Sequence, residues 1–572
     1  MRNHRFSARR LAAVFVPTAI ALAACGGSDD ASDPPGPVAP SVLSVSGTAA
    51  TGAAIAAGAI DAKCSAGFGA GVSAADGSYR IEISDGSLPC ILRVTAADGT
   101  VLHSLASGSG AAATANLTPL SELLVARLAG AAPASFFNSF DASRVTSDEL
   151  QAANTAVTEL LQAAGIDMAG VGNVLTAALV AANGSTPGNG FDQSLDALKA
   201  KLAASGTSLS QLRDTVARSS PAAASSARSN TASLPAELLL RPAAANCAAL
   251  RSGSYRFVGF SKQDGIDTDT FTVDAPTLLL TGVDGPQTLV PNGPCRYTVG
   301  DLDITVAASG AMLVRFEEEP GGNVWHAGIA FPEQRHRLSA LAGTWNVMGL
   351  EDVEENGRFV IVDGQMELRA DGRPTSITYC TNNAEGCSTP DSAELSKIRF
   401  SAAADGSLSW SHAGEGWTIP VFAYRAGGGE LMLVTLGENG DFLVFTRQVA
   451  ATMPVLGRVS ESVNYAVTNT LIATPASDSK NTVFSIDTAT NRYVRDSVFN
   501  TTTGATQPET VVLNERRTGV SRRIPGPATG SDGSNRNVTE WLAMGLQGMG
   551  MSGVVFPASN QIVFSLIKPV AP

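Results

Sequence analysis

Three apolar runs alternate with tight turns in residues 417–447, WTIPVFAYRAGGGELMLVTLGENGDFLVFTR. The turns are the glycines 427–429 and the pair Asn439-Gly440, and the runs are rich in aromatic and β-branched residues. Such runs, divided by turns of this kind, are typical of antiparallel strands joined by hairpins. The same pattern begins near residue 343, so these runs indicate the fold of the whole stretch 343–447.

The stretch 343–447 carries the pattern towards the N-terminus. Its further apolar runs are FVIV, QMELRA, TSITYC and SLSWSH, and further turns are predicted at Asp363-Gly364, Asp371-Gly372 and Asp405-Gly406. Turns at such regular intervals predict an up-and-down meander that closes into a barrel or a tight sandwich.

The meander opens with Gly343-Thr344-Trp345 and ends with Arg447. This combination resembles the calycins, the lipocalin-like barrels, in which a Gly-x-Trp on the first strand packs under a basic residue from the last strand. The resemblance implies a cup for a small apolar ligand, with Trp345 and Arg447 as its marker residues. The alternative is that Trp345 fills the floor of the barrel, and the shortness of the unit favours this alternative.

The flanking segments 247–340 and 451–572 are also strand-rich. The first begins with Gly253-Ser254-Tyr255, as the central unit 341–450 begins with Gly343-Thr344-Trp345. The last contains the runs NTVFSIDT, NRYVRDSV and QIVFSLIKP. We therefore expect two or three related antiparallel β units of about 100 residues each.

Residues 42–105 contain short strands with Asp-Gly turns, which predict a small β-sandwich. Gly47, the run AAGAIDAKC (56–64) and the run AADGSYRIEI (74–83) resemble the carboxypeptidase-regulatory-like, transthyretin-like module of secreted bacterial proteins. The spacing within Asp76-Gly77-Ser78-Tyr79 is one residue shorter than in that family, and Cys90 replaces a Gly-Tyr strand start. The resemblance implies a non-catalytic spacer or adhesion-type domain.

Residues 106–217 change to a helical period. Thr118-Pro119 predicts a helix start, Thr146 begins a capping box, and Asp192 and Ser208 are predicted N-caps of two further helices. Residues 218–246 are rich in Pro, Ala and Ser and are predicted to be a linker. The whole is a multidomain α+β chain that is mainly β.

Residues 1–24 have the parts of an export signal, which are a basic start, an apolar run and small residues at its end. The end of this run, Leu22-Ala23-Ala24-Cys25, resembles the lipobox of proteobacterial-type lipoproteins. The resemblance implies cleavage before Cys25, acylation of Cys25, and a membrane anchor of several acyl chains. An ordinary secretory signal with a chance cysteine is the alternative. Residues 25–41 are then a flexible tether, and Gly26 after the cysteine implies sorting to the outer membrane.

Six cysteines remain after Cys25, and an even number in an exported chain predicts disulfides. They form three local pairs in the sequence, namely Cys64 with Cys90, Cys247 with Cys295, and Cys380 with Cys387. Zinc is the rival interpretation, but no pair has Cys-x-x-Cys spacing or a histidine partner. We predict no metal site and no cofactor.

The chain of 572 residues carries a formal net charge of −13. Removal of the four signal arginines changes this charge to −17. An acidic balance argues against nucleic acid as a partner. The acyl anchor is the predicted membrane attachment, and an unidentified protein or glycan is the expected partner.

The sequence contains no Gly-x-Ser-x-Gly, His-Glu-x-x-His or Walker motif. The run Gly548–Gly553 matches Gly-x-Gly-x-x-Gly, but a strand follows it where a dinucleotide site requires a helix. We nominate no catalytic residue. The histidines 103, 326, 336 and 412, the aspartates 264, 267 and 269, and the acidic runs 317–319 and 351–355 are predicted to be structural or solvated.

These features predict a non-enzymatic, lipid-anchored envelope protein with a structural, interaction or adhesion role. Binding of a small apolar ligand in the 343–447 barrel is the main alternative. A hydrolase of polysaccharide or peptide is the second. An open apolar cavity would favour the ligand, and two carboxylates facing each other across a cleft would favour the enzyme.

Overall fold

The computed structural model describes residues 41–184, 186–220, 232–261, 267–317, 323–382, 387–428, 430–498 and 506–568. The predicted signal, Cys25 and nearly all of the tether lie outside these residues, as do residues 221–231 of the predicted linker. The structure is mostly β, with 47% strand and 15% helix. The mainly β fold class is therefore confirmed.

Residues 42–114 form a sandwich of two sheets. Its strands are β1 (Val42–Thr48), β2 (Ala59–Ala66), β3 (Phe68–Val72), β4 (Ser78–Ser84), β5 (Ser87–Thr95), β6 (Val101–Ala106) and β7 (Ala112–Thr114). One sheet has the order β4-β1-β7 and the other β3-β2-β5-β6. Val45 and Ile81 from the first sheet and Leu92 from the second meet in one buried core. The last strand lies beyond the predicted end of this unit at residue 105.

Six helices follow in the described residues up to 239. They are α1 (Pro119–Ala129), α2 (Pro133–Asn138), α3 (Ser147–Ala163), α4 (Gly190–Ser205), α5 (Leu209–Arg218) and α6 (Ala236–Leu239), with a short 3-10 turn at Ala142–Arg144. Thr118, Thr146 and Ser208 are N-caps, as predicted. The prediction for Asp192 is wrong, because Asn189 caps α4 and Asp192 instead accepts a hydrogen bond from the Ala182 N–H.

The first β unit after the helices contains β8 (Ala243–Ala244), β9 (Cys247–Arg251), β10 (Gly253–Phe260), β11 (Thr268–Asp274), β12 (Leu279–Gly282), β13 (Gly285–Thr288), β14 (Val290–Gly293), β15 (Arg296–Val299), β16 (Leu302–Val306), β17 (Met312–Glu317) and β18 (Trp325–Pro332). Its nine-stranded sheet has the order β13-β12-β11-β10-β18-β17-β16-β15-β14. The first strand of the meander therefore pairs with the last one.

The second β unit repeats this topology. It contains a 3-10 turn (Leu338–Leu341), β19 (Gly343–Glu351), β20 (Val360–Leu368), β21 (Pro374–Thr381), β22 (Cys387–Ser388), α7 (Ser392–Leu395), β23 (Ile398–Ala402), β24 (Leu408–His412), β25 (Trp417–Arg425), β26 (Leu431–Leu436) and β27 (Phe442–Arg447). The sheet order is β22-β21-β20-β19-β27-β26-β25-β24-β23, again with the first long strand beside the last.

The turn predicted at Asp363-Gly364 is wrong, because both residues lie within the continuous strand β20. Asp363 forms an ion pair there with Arg517 of the third β unit. A Cβ at residue 364 would lie 2.4 Å from the Thr378 carbonyl oxygen on the neighbouring strand. This glycine therefore permits a close approach of two strands and does not make a turn.

The third unit is a closed eight-stranded barrel. Its order is β28-β29-β30-β31-β32-β35-β36-β37, and β28 pairs with β37. The strands are β28 (Val459–Val467), β29 (Ser477–Asp487), β30 (Arg492–Val498), β31 (Thr506–Leu513), β32 (Val520–Arg523), β35 (Trp541–Leu546), β36 (Met551–Phe556) and β37 (Gln561–Ile567), with β33 (Gly526–Thr529) and β34 (Asn535–Val538) as a separate hairpin. We call this unit the C-terminal barrel.

The three β units share one apolar core, formed by the outer faces of their strands. Phe260, Phe442 and Phe564, one from each unit, meet in it. The ring centroid of Phe260 lies 3.9 Å from that of Phe442 and 5.4 Å from that of Phe564. In several strands of the C-terminal barrel the apolar face packs in this shared core. The opposite face of these strands therefore points into the barrel.

Disulfides join Cys64 to Cys90, Cys247 to Cys295, and Cys380 to Cys387. These are the three local pairs expected from the sequence. Each links neighbouring strands or a strand to the segment beside it.

Candidate ligand-binding site in the C-terminal barrel

Side chains close one end of the 343–447 unit. The Trp345 side chain is fully buried, and Cζ of Arg447 lies 4.0 Å from the centroid of its ring. Arg447 donates hydrogen bonds of 2.6 Å to the carbonyl oxygens of Ala340 and Ala342. Since Phe400 and Phe445 are buried in the same cluster, the Trp345 end has the arrangement of a filled floor.

In the first β unit an aromatic side chain is buried in the same way. Tyr255 is the aromatic residue of its Gly-x-aromatic start, is 1% exposed, and donates to the Arg251 carbonyl at 2.8 Å. Trp345 likewise donates to the carbonyl of Leu341, four residues earlier, at 2.9 Å. Both aromatic residues pack in the interior clusters of their units.

Unlike the filled interiors around Trp345 and Tyr255, the interior of the C-terminal barrel contains a cavity with many polar side chains. On β28, Ser460, Ser462 and Asn464 line an internal cavity, while the alternate residues Val463 and Tyr465 belong to the shared apolar core. The cavity has a volume of about 340 Å³. Its lining includes seven serines and two asparagines, namely Ser460, Ser462, Ser477, Ser479, Ser521, Ser552, Ser565, Asn464 and Asn481.

Aromatic, charged and apolar side chains complete the lining. Tyr493, Trp541 and Phe556 supply aromatic surface, Arg495 supplies a cation, and Glu461 supplies a carboxylate that pairs with Lys480 at 3.8 Å. The remaining lining residues are Ala466, Ala543, Gly545, Val554, Val563 and Ile567. Hydroxyl groups with aromatic faces suit a polyhydroxylated ring, because hydroxyls exchange hydrogen bonds with it and an aromatic face covers its C–H surface.

A buried cluster of charges lies beside the cavity. The Glu509 side chain is completely buried, and its Oε2 accepts from Arg495 Nε at 2.7 Å and from Ser497 Oγ at 2.8 Å. Its Oε1 accepts from Arg523 Nη1 at 2.5 Å and from Trp541 Nε1 at 3.1 Å. Burial alone would raise the pKa of the Glu509 carboxyl, but the two guanidinium groups and these hydrogen bonds lower it overall.

The cluster holds two arginines and one carboxylate, so it has an excess of one positive charge. Each nitrogen of Arg523 has a partner, because the other two donate to the carbonyl and hydroxyl oxygens of Thr539 at 2.6 Å and 3.1 Å. Arg495 is different, since Nη1 has no acceptor within the described part of the chain. Its side chain is 22% exposed and lines the cavity.

The structure also locates the other residues that the sequence singled out. His103 lies 2.8 Å from Glu122, with both side chains 2% exposed, and His326 Nδ1 lies 2.9 Å from the Leu471 carbonyl. His336 bonds to Gln334, and Asp267 accepts from Ser261. Asp264 and residues 318–319 lie outside the described residues. Within the acidic run 351–355, Glu351, Asp352 and Glu355 line a second cavity, which is discussed below.

Glu394, His412 and Glu415 are grouped so that one ligand atom of each lies within 4.8 Å of the others. Nδ1 of His412 accepts from the Glu415 N–H at 3.0 Å, so Nε2 carries the proton that is shared with Glu394 at 2.7 Å. Both ring nitrogens are therefore engaged, and Lys397 also pairs with Glu394. This satisfied group does not fit a metal ion, whose histidine ligand needs a free ring nitrogen.

No protein-family model and no curated protein matches the chain. Solved structures similar to parts of it include a DUF3598-family protein of unknown function from Nostoc punctiforme, with 12% identity over 41% of this chain and 98% of that one, and a TM-score of 0.14. Transferrin binding protein B (TbpB) structures from Haemophilus parasuis and from serogroup B Neisseria meningitidis also match. The first has 7% identity over 56% of this chain and 76% of its own, and the second 10% over 53% and 66%, both with a TM-score of 0.17.

Likenesses at these TM-scores carry no argument about this chain. The carboxypeptidase-regulatory-like resemblance of residues 42–105 has no family model behind it. Within the described residues, none of the helices has the length and apolar character to cross a bilayer.

Proposed function

We propose that the chain is a non-enzymatic, lipid-anchored envelope protein whose C-terminal barrel binds a small hydrophilic anion of monosaccharide size. The observation that carries this proposal is the serine-lined cavity of about 340 Å³ into which Arg495 brings an unpaired guanidinium N–H. The volume lies near the lower end of the range for small-molecule sites. A uronic acid matches the lining, since it combines a carboxylate with several hydroxyls.

The proposed site differs from the apolar cup that the calycin resemblance implied for residues 343–447. Trp345 fills one end of that unit, and the C-terminal barrel carries the polar lining instead. The proposal of a binding role rests on the chemistry of the lining. Glu509 is held ionised by two arginines and arginine does not titrate in the physiological range, so the cluster suits charge recognition better than proton transfer.

The anchor, the outer-membrane location and the tether are proposed from the sequence of residues 1–41. An acylated Cys25 would hold the folded units at the membrane, and the disulfides suit an oxidising compartment. Intact-mass measurement of the protein purified from its source tests the anchor independently of ligand binding.

Thermal unfolding of the purified full-length chain tests the binding site. Size-matched pairs such as glucose and glucuronate should separate, with the acid raising the melting temperature and the neutral sugar having little effect. Ser552→Leu should reduce or abolish the shift, because Ser552 lines the cavity and leucine narrows it and removes a hydroxyl group. Ser559→Leu, at an exposed position in the same hairpin, is the matched control. A shift that Ser552→Leu leaves unchanged, or no shift with any sugar acid, would contradict the proposal.

A further inference from the structure

A second cavity, of about 620 Å³, lies in the 343–447 unit, and the charged side chains that line it are all acidic. Six carboxylates line it, namely Glu351, Asp352, Glu355, Glu415, Glu438 and Asp441. Among the described residues, no lysine, arginine or histidine contributes to its lining. An uncompensated field of this sign attracts a cation and repels an anion.

Aromatic rings form a corner of the same cavity. The ring centroids of Trp410 and Trp417 lie 5.5 Å apart, and the ring planes meet at 87°. In this edge-to-face packing the edge of one ring lies against the face of the other. Aromatic surface beside carboxylates favours an organic cation, because the negative face of a ring attracts positive charge and the ring also covers alkyl groups.

Packing and hydrogen bonds hold both indoles in place. Trp410 stacks on Phe400 with centroids 5.3 Å apart. Trp417 lies against His412 at 5.7 Å and donates from Nε1 to Glu415 at 2.6 Å. These contacts within the protein fix the corner, so binding would need little reorganisation of the two rings.

One donor in the cavity wall has no partner. The Trp410 Nε1 atom is buried and lacks an acceptor within the described residues. A buried donor without an acceptor costs free energy. Because this atom has almost no accessible surface, a molecule in the cavity does not reach it, and the choice of ligand depends on the carboxylates and the indole rings.

Two of the carboxylates are anchored at the cavity. The Tyr379 hydroxyl donates to Glu351, and Asp441 accepts from the Asp352 N–H at 2.6 Å. A compact metal ion would meet carboxylates on one side only, with indole faces that offer no ligand atoms on the other. A cation with an alkyl surface uses both walls.

We propose that this cavity binds a small organic ammonium ion, of the size of choline, between the Trp410–Trp417 corner and the carboxylates around Glu351 and Asp441. This site is separate from the one in the C-terminal barrel and accepts the opposite charge. Either proposal can therefore fail without the other.

Calorimetric titration of the full-length chain at about pH 8, which is above the raised pKa of about 7 of Glu351, tests the proposal. The probes are choline and its neutral isostere 3,3-dimethylbutan-1-ol, with Ca²⁺ as the metal probe. We expect choline to bind at least tenfold more tightly than the neutral alcohol. Equal binding of the two would show an apolar pocket, and binding of Ca²⁺ without choline would show a metal site. Either outcome, or no binding of choline, would overturn the proposal.

Variants locate the site. Trp417→Leu and Asp441→Asn should each weaken choline binding at least fivefold, whereas Glu367→Gln, at an exposed position of the same unit, should not change it. Melting temperatures of the variants measured alongside show that each one is folded. Unchanged choline affinity in folded Trp417→Leu would place the site elsewhere and would contradict the assignment.

Discussion

Inside the C-terminal barrel, the indole N–H of Trp541 donates a hydrogen bond of 3.1 Å to Glu509. The indole ring lies near two cations, with Cζ of Arg495 at 5.4 Å and Cζ of Arg523 at 5.9 Å from its centroid. A buried arrangement of this kind is a poor source of stability, since desolvation of the charges offsets much of their attraction. Its position at the cavity wall suits the ligand recognition proposed above.

The first prediction concerns Glu509. Glu509→Gln removes the carboxylate from two arginines in a site where Glu509 is completely buried. We expect a loss of about 3 to 5 kcal/mol in the free energy of unfolding, because the guanidinium groups lose their counterion. Urea denaturation measures the loss. Glu367→Gln, at an exposed position, should change the free energy by less than about 0.5 kcal/mol, and a similarly small effect of Glu509→Gln would refute the description of the cluster.

The second prediction concerns the filled floor of the 343–447 unit. Trp345→Ala should reduce the free energy of unfolding by about 3 to 5 kcal/mol, because Trp345 is fully buried. This substitution also removes the indole ring over which the Arg447 guanidinium lies. Trp417→Ala should cost clearly less, since that side chain is partly exposed at a cavity wall. Denaturation midpoints in the reverse order would contradict the assignment of Trp345 to the floor.

The third prediction is a pH dependence of stability from Glu351. Burial, together with the charge of Asp441, raises the pKa of Glu351 from 4.5 to about 7, although the Tyr379 hydroxyl opposes the shift. The unfolded chain therefore releases this proton at a lower pH than the folded chain does. Stability contributed by this group is full below 4.5 and is lost as the pH rises to about 7.

The expected slope is at most about 1.4 kcal/mol per pH unit within that window. Glu351→Gln should remove this part of the slope and raise the stability at neutral pH, whereas Glu367→Gln should retain it. Denaturation at several pH values measures the difference. The same slope in Glu351→Gln and in the unmodified chain would show that Glu351 titrates normally.

The fourth prediction ranks the disulfides. The cysteine pairs are separated by 48 residues for Cys247–Cys295, 26 for Cys64–Cys90 and 7 for Cys380–Cys387. If restriction of the unfolded chain dominates, their removal by paired Cys→Ala substitution should cost roughly 4, 3.5 and 2.5 kcal/mol respectively. Denaturation under non-reducing conditions tests the order, and an inverted order would show that strain or local packing outweighs chain entropy.

Local pattern was enough to predict many of the strands and three of the four helix starts expected from the sequence. Thr118, Thr146 and Ser208 cap helices as expected, because an N-cap depends on a few adjacent residues. The prediction of a turn at Asp363-Gly364 was wrong because the pair is typical of turns, whereas both residues pair with the strands on either side. Asp363 also forms an ion pair with the distant Arg517. Asn189 is the cap that was missed before Asp192.

The candidate site was beyond the reach of sequence reasoning for a different reason. On β28, the alternation of Ser462 and Asn464 with Val463 and Tyr465 indicates a two-faced strand but does not say which face lies inside. The usual expectation places the apolar face in the interior. In this chain the apolar face packs in the core that the three β units share, so the serines line the cavity. Arg495, Glu509 and Arg523 lie on three strands without a motif to connect them.

Recognition of an anion by Arg495 is the central claim, and calorimetric titration of a uronic acid into the full-length chain tests it most directly. Arg495→Gln leaves Glu509 paired with Arg523, so the barrel should stay folded. Arg492→Gln removes the same charge from an exposed position on the same strand and is the matched control. We predict an affinity at least about tenfold weaker in Arg495→Gln and unchanged in Arg492→Gln. Equal affinity in both variants would contradict the account.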